Sequence, residues 1–466
     1  MLILECVDSF FSKTSNYLWT YILIVIMIGG GVFFSIYSKF IPFRYFFHSI
    51  KILSGKYDDN NDLGHVSHFQ ALSSALAGTI GMGNIAGVAI AIHQGGPGAI
   101  FWMWISAILG MSTKFFTCSL SILYRGVDDN NVIQGGPMYY ISIGLGQISK
   151  NLYFQYFVKF LANLFCLAGI FGCLSLFQAN QLSQIFSDRV LLHSYFFQEN
   201  ILIGKLLFGI ALSILTSVFI FGGIKKIAAI ASKIVPFMVI MYILLSLYII
   251  FQNFSEIPTY IYMIFNEALS SSSLEGGLMG SVIVIGLRRA AFSNEAGIGT
   301  EAMAHGAAKT NEPIREGLVA MIGPFIDTII ICTLTALMIL STGVYHNTES
   351  NGILLVADAF STRFPYFGNL ILLVIIFSFS ITTIISYSYY GAKCTSFLFG
   401  TKWKTMYRKF YVVSIIISSI ISIELLINFL DTMFALMAIP TMITTILLAP
   451  KVIRESKIYF DKLNSQ

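Results

Sequence analysis

The run Ala77-Gly78-Thr79-Ile80-Gly81-Met82-Gly83-Asn84 lies inside an apolar stretch that is otherwise long enough to cross a membrane. Glycine and asparagine are poor helix formers, and in lipid every backbone N–H and C=O must find a partner. A span unwound at this point makes sense where the freed groups hold something. N–H groups opening a half-helix attract a carboxylate, and freed carbonyls attract a cation. The alternative is a glycine-lined close contact between helices. Gly81-Met82-Gly83-Asn84-Ile85-Ala86 also has the form of the dinucleotide fingerprint GxGxxA. That fingerprint needs a preceding strand and a βαβ unit, which an apolar span does not offer.

Other polar residues sit in apolar surroundings. Thr382 and Thr383 are adjacent hydroxyls. They either bond back to their own helix or, with carbonyl oxygens, form the hard-oxygen site that suits sodium as it suits calcium. Gln178-Ala179-Asn180-Gln181 places amides in a span, where they glue helices or contact a zwitterionic substrate. Lys114, Arg288, Arg289, Glu295, Glu301 and Asp327 are ionisable groups within spans and therefore functional candidates. Arg288 and Arg289 read best as structural partners of Glu295 or Asp327. The six cysteines are scattered without a CxxC pair, so neither zinc nor a disulfide framework is expected. HExxH, Walker A and GxSxG motifs are absent, which argues against an enzyme and against ATP-driven transport in this chain.

The elements that must position these residues are membrane helices. Of 466 residues, 56% are hydrophobic and 11% charged, with mean hydropathy +0.78. Soluble proteins carry roughly 25% charged residues. A β-barrel would show short alternating segments instead. Eleven segments of roughly 20 residues or more are expected near 17–37, 69–93, 97–123, 153–186, 201–221, 234–251, 277–299, 316–342, 366–391, 410–427 and 430–450. The first is too long for a signal-peptide core and is read as retained.

Charge supports this count. Twenty of the 28 Lys and Arg residues fall in 38–68, 124–152, 222–233, 300–315, 392–409 and 451–466. Three fall in the alternate connections. The positive-inside rule then places the N-terminus outside and the C-terminus in the cytoplasm. The net charge of +5 reflects these loops and gives no sign of a nucleic-acid partner.

A second interruption, Gly286 to Gly297, occurs in the seventh segment, and each interrupted segment is followed by four more. An odd number of spans per half inverts the second half. The expected architecture is a 5+5 inverted repeat, 69–251 and 277–450, preceded by residues 1–68 with one extra helix and followed by a cytoplasmic tail, 451–466. Paired breaks at matching positions point to a midplane site. Gln94-Gly95-Gly96-Pro97 and Gln134-Gly135-Gly136-Pro137 read as turns.

Gly78 to Val88, Gly95 to Lys114, Gly135 to Tyr140, Phe292 to Thr310 and Glu312 to Asp327 resemble the alanine/glycine:cation symporter family. The resemblance covers about residues 65 to 450. It implies an all-α, leucine-transporter-like fold of the amino acid–polyamine–cation superfamily. It also implies sodium-coupled uptake of small neutral amino acids, mainly alanine and glycine, across the cell membrane. The implied sodium ligands are the carbonyls of Ala77 and Ile80 and the hydroxyls of Thr382 and Thr383. The implied substrate site comprises Thr79, Gly81, Met82, Gly83, Asn84, Gln178, Ile285, Gly286, Ser293 and Asn294. Two departures stand out: Ile285 replaces a bulky aromatic, and Arg289-Ala290 replaces Arg-Gly. A smaller Ile285 would enlarge the pocket.

The expected partners are the amino acid and the bilayer, with no obligatory protein partner. One alternative is a proton-coupled carrier using Glu295 or Asp327, since buried carboxylates titrate near neutral pH. A channel or sensor is disfavoured, because a channel needs a continuous polar path and the polar clusters here are short.

Overall fold

The structure, a computed structural model, describes residues 2–59, 61–193, 195–270, 282–346, 350–365 and 367–465. Each of the eleven expected segments is helical, in whole or in part. In chain order the helices are α1 (Glu5–Tyr37), α2 (His68–Gly95), α3 (Ala99–Leu123), α4 (Leu152–Arg189), α5 (Ile201–Ile220), α6 (Gly223–Phe251), α7 (Val282–Asn294, continued by Thr300–His305), α8 (Pro313–Thr342), α9 (Gly368–Phe399), α10 (Lys404–Ser418) and α11 (Ile423–Asn464). All but α7 and α10 are, within the described residues, long and apolar enough to span a membrane unaided. The expected start of the seventh segment, 277–281, lies outside the described residues.

Burial orders the bundle. Every residue from Ala71 to Ile92 is buried, as expected of a helix apolar on all sides. Helix α2 packs against α6, α7, α8 and α9. Its first half meets the second half of α7, and its second half meets the first half of α7. The two interrupted helices therefore run antiparallel through the centre. Outer helices show large apolar side chains at their surface, such as Ile214 and Val218 on α5 and Phe237 and Leu244 on α6, as lipid-facing helices do.

Local chemistry sets several boundaries. Ser67 and Gln70 form a reciprocal cap at the start of α2, with Oγ accepting from the Gln70 N–H at 3.2 Å and Oε1 from the Ser67 N–H at 3.1 Å. Each Gln-Gly-Gly-Pro sequence ends one element and leads into the next, turning at Gly96 (φ +68°) and Gly136 (φ +133°), conformations open chiefly to glycine.

Three boundaries differ from the hydropathy reading. Helix α6 starts at Gly223 and runs through Pro236. Helix α4 is interrupted between Gly172 and Leu176. The turn between α10 and α11 lies at 419–422, not at 428–429. There the Asn180 amide donates to the carbonyls of Ser418 and Ile421 at 3.0 and 2.8 Å. A tertiary contact thus satisfies the carbonyls that end α10, which an apolar sequence cannot signal.

Close helix crossings depend on glycine. A Cβ at Gly317 of α8 would fall 2.1 Å from Ser119 Oγ and 2.6 Å from the Phe115 carbonyl oxygen of α3. Small residues let membrane helices approach in this way. Gly317→Leu is expected to destabilise the protein by about 1–3 kcal/mol, seen as a lower melting temperature in detergent. Gly29→Ala, where a Cβ meets nothing within 4 Å, should leave the melting temperature unchanged or raise it.

Candidate functional site

Helix α2 is broken where glycine is densest. Its first half ends at Thr79 and its second begins at Met82. The carbonyls of Ala77, Gly78 and Thr79 lie in a last helical turn, and the N–H groups of Met82 and Gly83 in a first turn, so neither set has partners within its own helix. The Gly81 N–H donates to Asn84 Oδ1 at 3.0 Å, which holds the break open. Thr79 Oγ1 is buried and has no hydrogen-bond partner among the described residues.

Helix α9 faces the same point. A Cβ at Gly81 would fall 2.5 Å from Thr383 Oγ1. Thr383 donates to the Phe379 carbonyl at 3.1 Å, and Thr382 donates to the same carbonyl at 2.9 Å. Hydroxyls that donate backwards leave their lone pairs free to accept or to ligate. Thr382 also donates to Met238 Sδ of α6 at 3.7 Å, whereas Thr383 brings a hard oxygen donor to the break, the kind of ligand that suits a small cation.

Asn84 is tied to α8. Its Nδ2 donates to both a carboxylate oxygen and the backbone carbonyl of Asp327. Asp327 is fully buried and also accepts from Ser293 Oγ and Thr328 Oγ1, each at 2.8 Å. Asn294 Nδ2 donates to Thr328 Oγ1 at 3.0 Å. Asn84, Ser293 and Asn294 therefore converge on one buried carboxylate and its neighbour. The amides of Asn84 and Asn294 are occupied in shaping the two breaks.

Gly83 packs on α7, where a Cβ would meet Phe292 and the Ser293 Cα at 3.3 Å. Met82 is fully buried in the same region. Phe177 of α4 packs edge-on to Phe292, with ring centroids 5.0 Å apart. The adjacent Gln178 is 4% exposed, and its amide has no hydrogen-bond partner among the described residues. Asn180 and Gln181 instead join helices: Asn180 caps α10, and Gln181 accepts from the Ile353 N–H at 3.1 Å.

Two expectations about α7 need correction. The sequence placed the interruption at Gly286 to Gly297, but Val282–Asn294 is helical. The irregular segment is 295–299, where Glu295 (φ +57°), Gly297 (φ +84°) and Gly299 (φ +98°) take left-handed conformations. Gly286 serves packing, since its Cβ would lie 2.4 Å from the Ala99 carbonyl oxygen and 2.7 Å from Trp102. Ile285 packs against Gly95. Both residues lie about two turns from Ser293, and the structure does not bring them to the break in α2.

The sequence profile of the sodium:alanine symporter family matches residues 4–466. The chain belongs to that family. Sodium/alanine symporter AgcS of Methanococcus maripaludis is 37% identical over 454 residues, 97% of each chain. A transporter of Haemophilus influenzae is 37% identical over 462 residues, 98% of this chain and 97% of that one. The crystal structure of MhsT in complex with L-phenylalanine is similar with a TM-score of 0.57 at 13% identity, covering 83% of this chain and 89% of that chain. That likeness bears out the all-α, leucine-transporter-like fold. The sodium:alanine symporter family consists of transport proteins, and this member is a multi-pass transporter.

In this family member both ends of the core hold buried charge, and Arg289 is paired differently from the sequence expectation. Arg289 bonds Asp431 of α11, not Glu295 or Asp327. Arg288 lies 3.8 Å from the same carboxylate and donates to Asn16 at 3.0 Å. The Trp19 indole of α1 donates to the Asp431 carbonyl at 2.9 Å. Glu295 accepts from Thr300 and Tyr387.

At the basic end, Glu316 of α8 is bracketed by His68, which opens α2, and His305, which ends α7. Arg125 staples the neighbouring loops through the carbonyls of Leu63, Gly306, Ala308 and Thr310. Burial pushes its guanidinium down to about 10, so it remains charged at neutral pH. The sequence signal that was overlooked is the pair of histidines flanking the broken segments.

Removing one partner of a buried ion pair costs about 3–5 kcal/mol, because the other charge is left uncompensated. Asp431→Asn is therefore expected to lower the melting temperature sharply. Adding Arg289→Gln should recover part of the loss in a double-mutant cycle, and strictly additive effects would rule the pairing out.

Proposed function

We propose that this chain couples inward sodium flux to the uptake of small neutral amino acids, alanine and glycine among them, by alternating access. The observation that carries the reading is the break in α2, with free backbone groups, a hydroxyl of α9 against Gly81 and an unpartnered amide of α4 nearby. Sodium would be held by the carbonyls of Ala77 and Ile80 and the hydroxyls of Thr382 and Thr383. The substrate would lie beside Thr79, Gly81, Met82 and Gly83, with Gln178 and Ser293 completing the pocket. Asn84 and Asn294 would act by holding the breaks in shape. Ile285 and Gly286, packed on Gly95 and Ala99, are left outside this pocket.

The charge asymmetry of the loops supports an N-terminus outside the cell membrane and a C-terminus in the cytoplasm. The antiparallel passage of α2 and α7 through the core supports the division into two inverted halves, 69–251 and 277–450. Discontinuous helices at the interface of such repeats are where substrate and coupling ion meet in secondary transporters.

Coupling requires that sodium and substrate favour the same arrangement of the break. Each must then tighten the other by the same factor, typically about 5- to 150-fold. Purified protein in proteoliposomes should accumulate labelled alanine only with an inward sodium gradient. Thr383→Ala is expected to weaken apparent sodium and alanine affinities together, on the order of tenfold. Unchanged sodium affinity in that variant would remove Thr383 from the ion site. Uptake driven by a pH gradient without sodium would transfer coupling to Glu295 or Asp327.

A further inference from the structure

The basic end of the bundle contains a cavity of about 470 Å³ between the hairpin of residues 126–134, the start of α6, the end of α9 and the start of α10. Four cationic side chains line it: Lys225, Lys393, Lys404 and Arg408. Its carboxylate, Asp128, is engaged by Lys404 at 3.0 Å.

Lys393 is 4% exposed, and its partners are neutral. Its Nζ donates to the Met303 carbonyl at 3.1 Å and to the Tyr389 hydroxyl at 3.3 Å. Arg408 lies 6.0 Å from the Phe221 ring centroid, and neither it nor Lys225 has an ion-pair partner among the described residues. A buried ammonium without a counter-ion either gives up its proton or recruits an anion. Two further cations without an ion-pair partner among the described residues line the same space, so an anion bound there would meet several positive charges at once.

The elements that wall the cavity also carry exposed apolar side chains. Phe221, Phe399, Trp403 and Met406, from the elements that wall it, are 47%, 58%, 49% and 62% exposed. Aromatic side chains of this kind mark the membrane interface. A ligand suited to both features carries a negative headgroup and apolar tails. Basic pockets between membrane helices at the cytoplasmic side take such headgroups, and cavities of roughly 300–1,000 Å³ hold small organic groups.

We propose that this cavity binds the headgroup of an anionic phospholipid from the leaflet at the basic end of the protein. The phosphate would be held by Lys393 and Arg408, with Lys225 at the rim and the acyl chains along Phe399, Trp403 and Met406. The assignment of the cytoplasmic leaflet rests on the orientation given above. The site does not depend on which solute is carried.

The test uses the full-length protein in detergent, titrated with phosphatidylglycerol or phosphatidylcholine, with retained lipid read by native mass spectrometry. Preferential retention of phosphatidylglycerol is expected. It should fall on the order of tenfold in Lys393→Gln/Arg408→Gln and hold in Lys409→Gln, a lysine outside the cavity lining. Lys225→Gln/Arg408→Gln, which leaves buried Lys393 untouched, should show a smaller loss in the same direction. Equal retention of the two lipids, or retention unchanged in both double variants, would overturn the proposal. Inorganic phosphate bound by the wild type and lost in the variants, without lipid preference, would assign the cavity to a soluble anion and overturn the lipid source. The readout is bound lipid, so loss of sodium-driven uptake would leave this result standing.

Discussion

Backbone polarity in a low-dielectric interior is the constraint on which this structure depends. A helix cannot be opened in lipid unless every freed N–H and C=O is satisfied. Helix α2 opens at Ile80-Gly81, and the arrangement around it follows from meeting that demand. Asn84 takes the Gly81 N–H and is itself held by Asp327, which Ser293 and Thr328 anchor in turn. The break is thereby pinned to α7 and α8. Among the described residues the Thr79 hydroxyl has no partner, and Thr383 of α9 approaches the break at Gly81.

The same physics separates the two ends. Toward one end the closing contact is an Arg289–Asp431 pair joining α7 to α11 and reinforced by α1. Toward the other, Glu316 bridges the ends of both broken helices through two histidines. Each contact joins helices remote in sequence: α7 to α11 in one case, and α8 to α2 and α7 in the other. Their strength comes from burial and holds only while both partners stay in place.

Much of the fold was legible in the sequence, because hydropathy and loop charge are local and additive. Eleven segments were anticipated, and each contains a helix. The site was half legible. The Gly78 to Asn84 break and the Thr382-Thr383 pair stand out as residues that oppose their surroundings, and the structure brings Gly81 and Thr383 together. The second break was misplaced, because Gly286 and Gly297 look alike in sequence. One serves close packing against Ala99, whereas the other adopts φ +84°. The Gln178 to Gln181 run offered several amides with nothing to rank them. Packing decided that Asn180 caps α10 and that Gln178 has no partner among the described residues.

The sequence by itself determined the membrane class, the helical segments, the concentration of basic residues in alternate connections and the family, since each rests on composition or on contiguous motifs. Only the tertiary structure decided which charges neutralise each other. Arg289 finds its partner 142 residues away, although Glu295 is far nearer in sequence. It also decided which glycines bend the chain, that Thr383 lies against the break and where Lys225, Lys393 and Arg408 share one cavity. These are matters of distance and burial between elements remote in sequence. Residue type sets what a side chain is able to bond, and packing selects the partner that comes within reach.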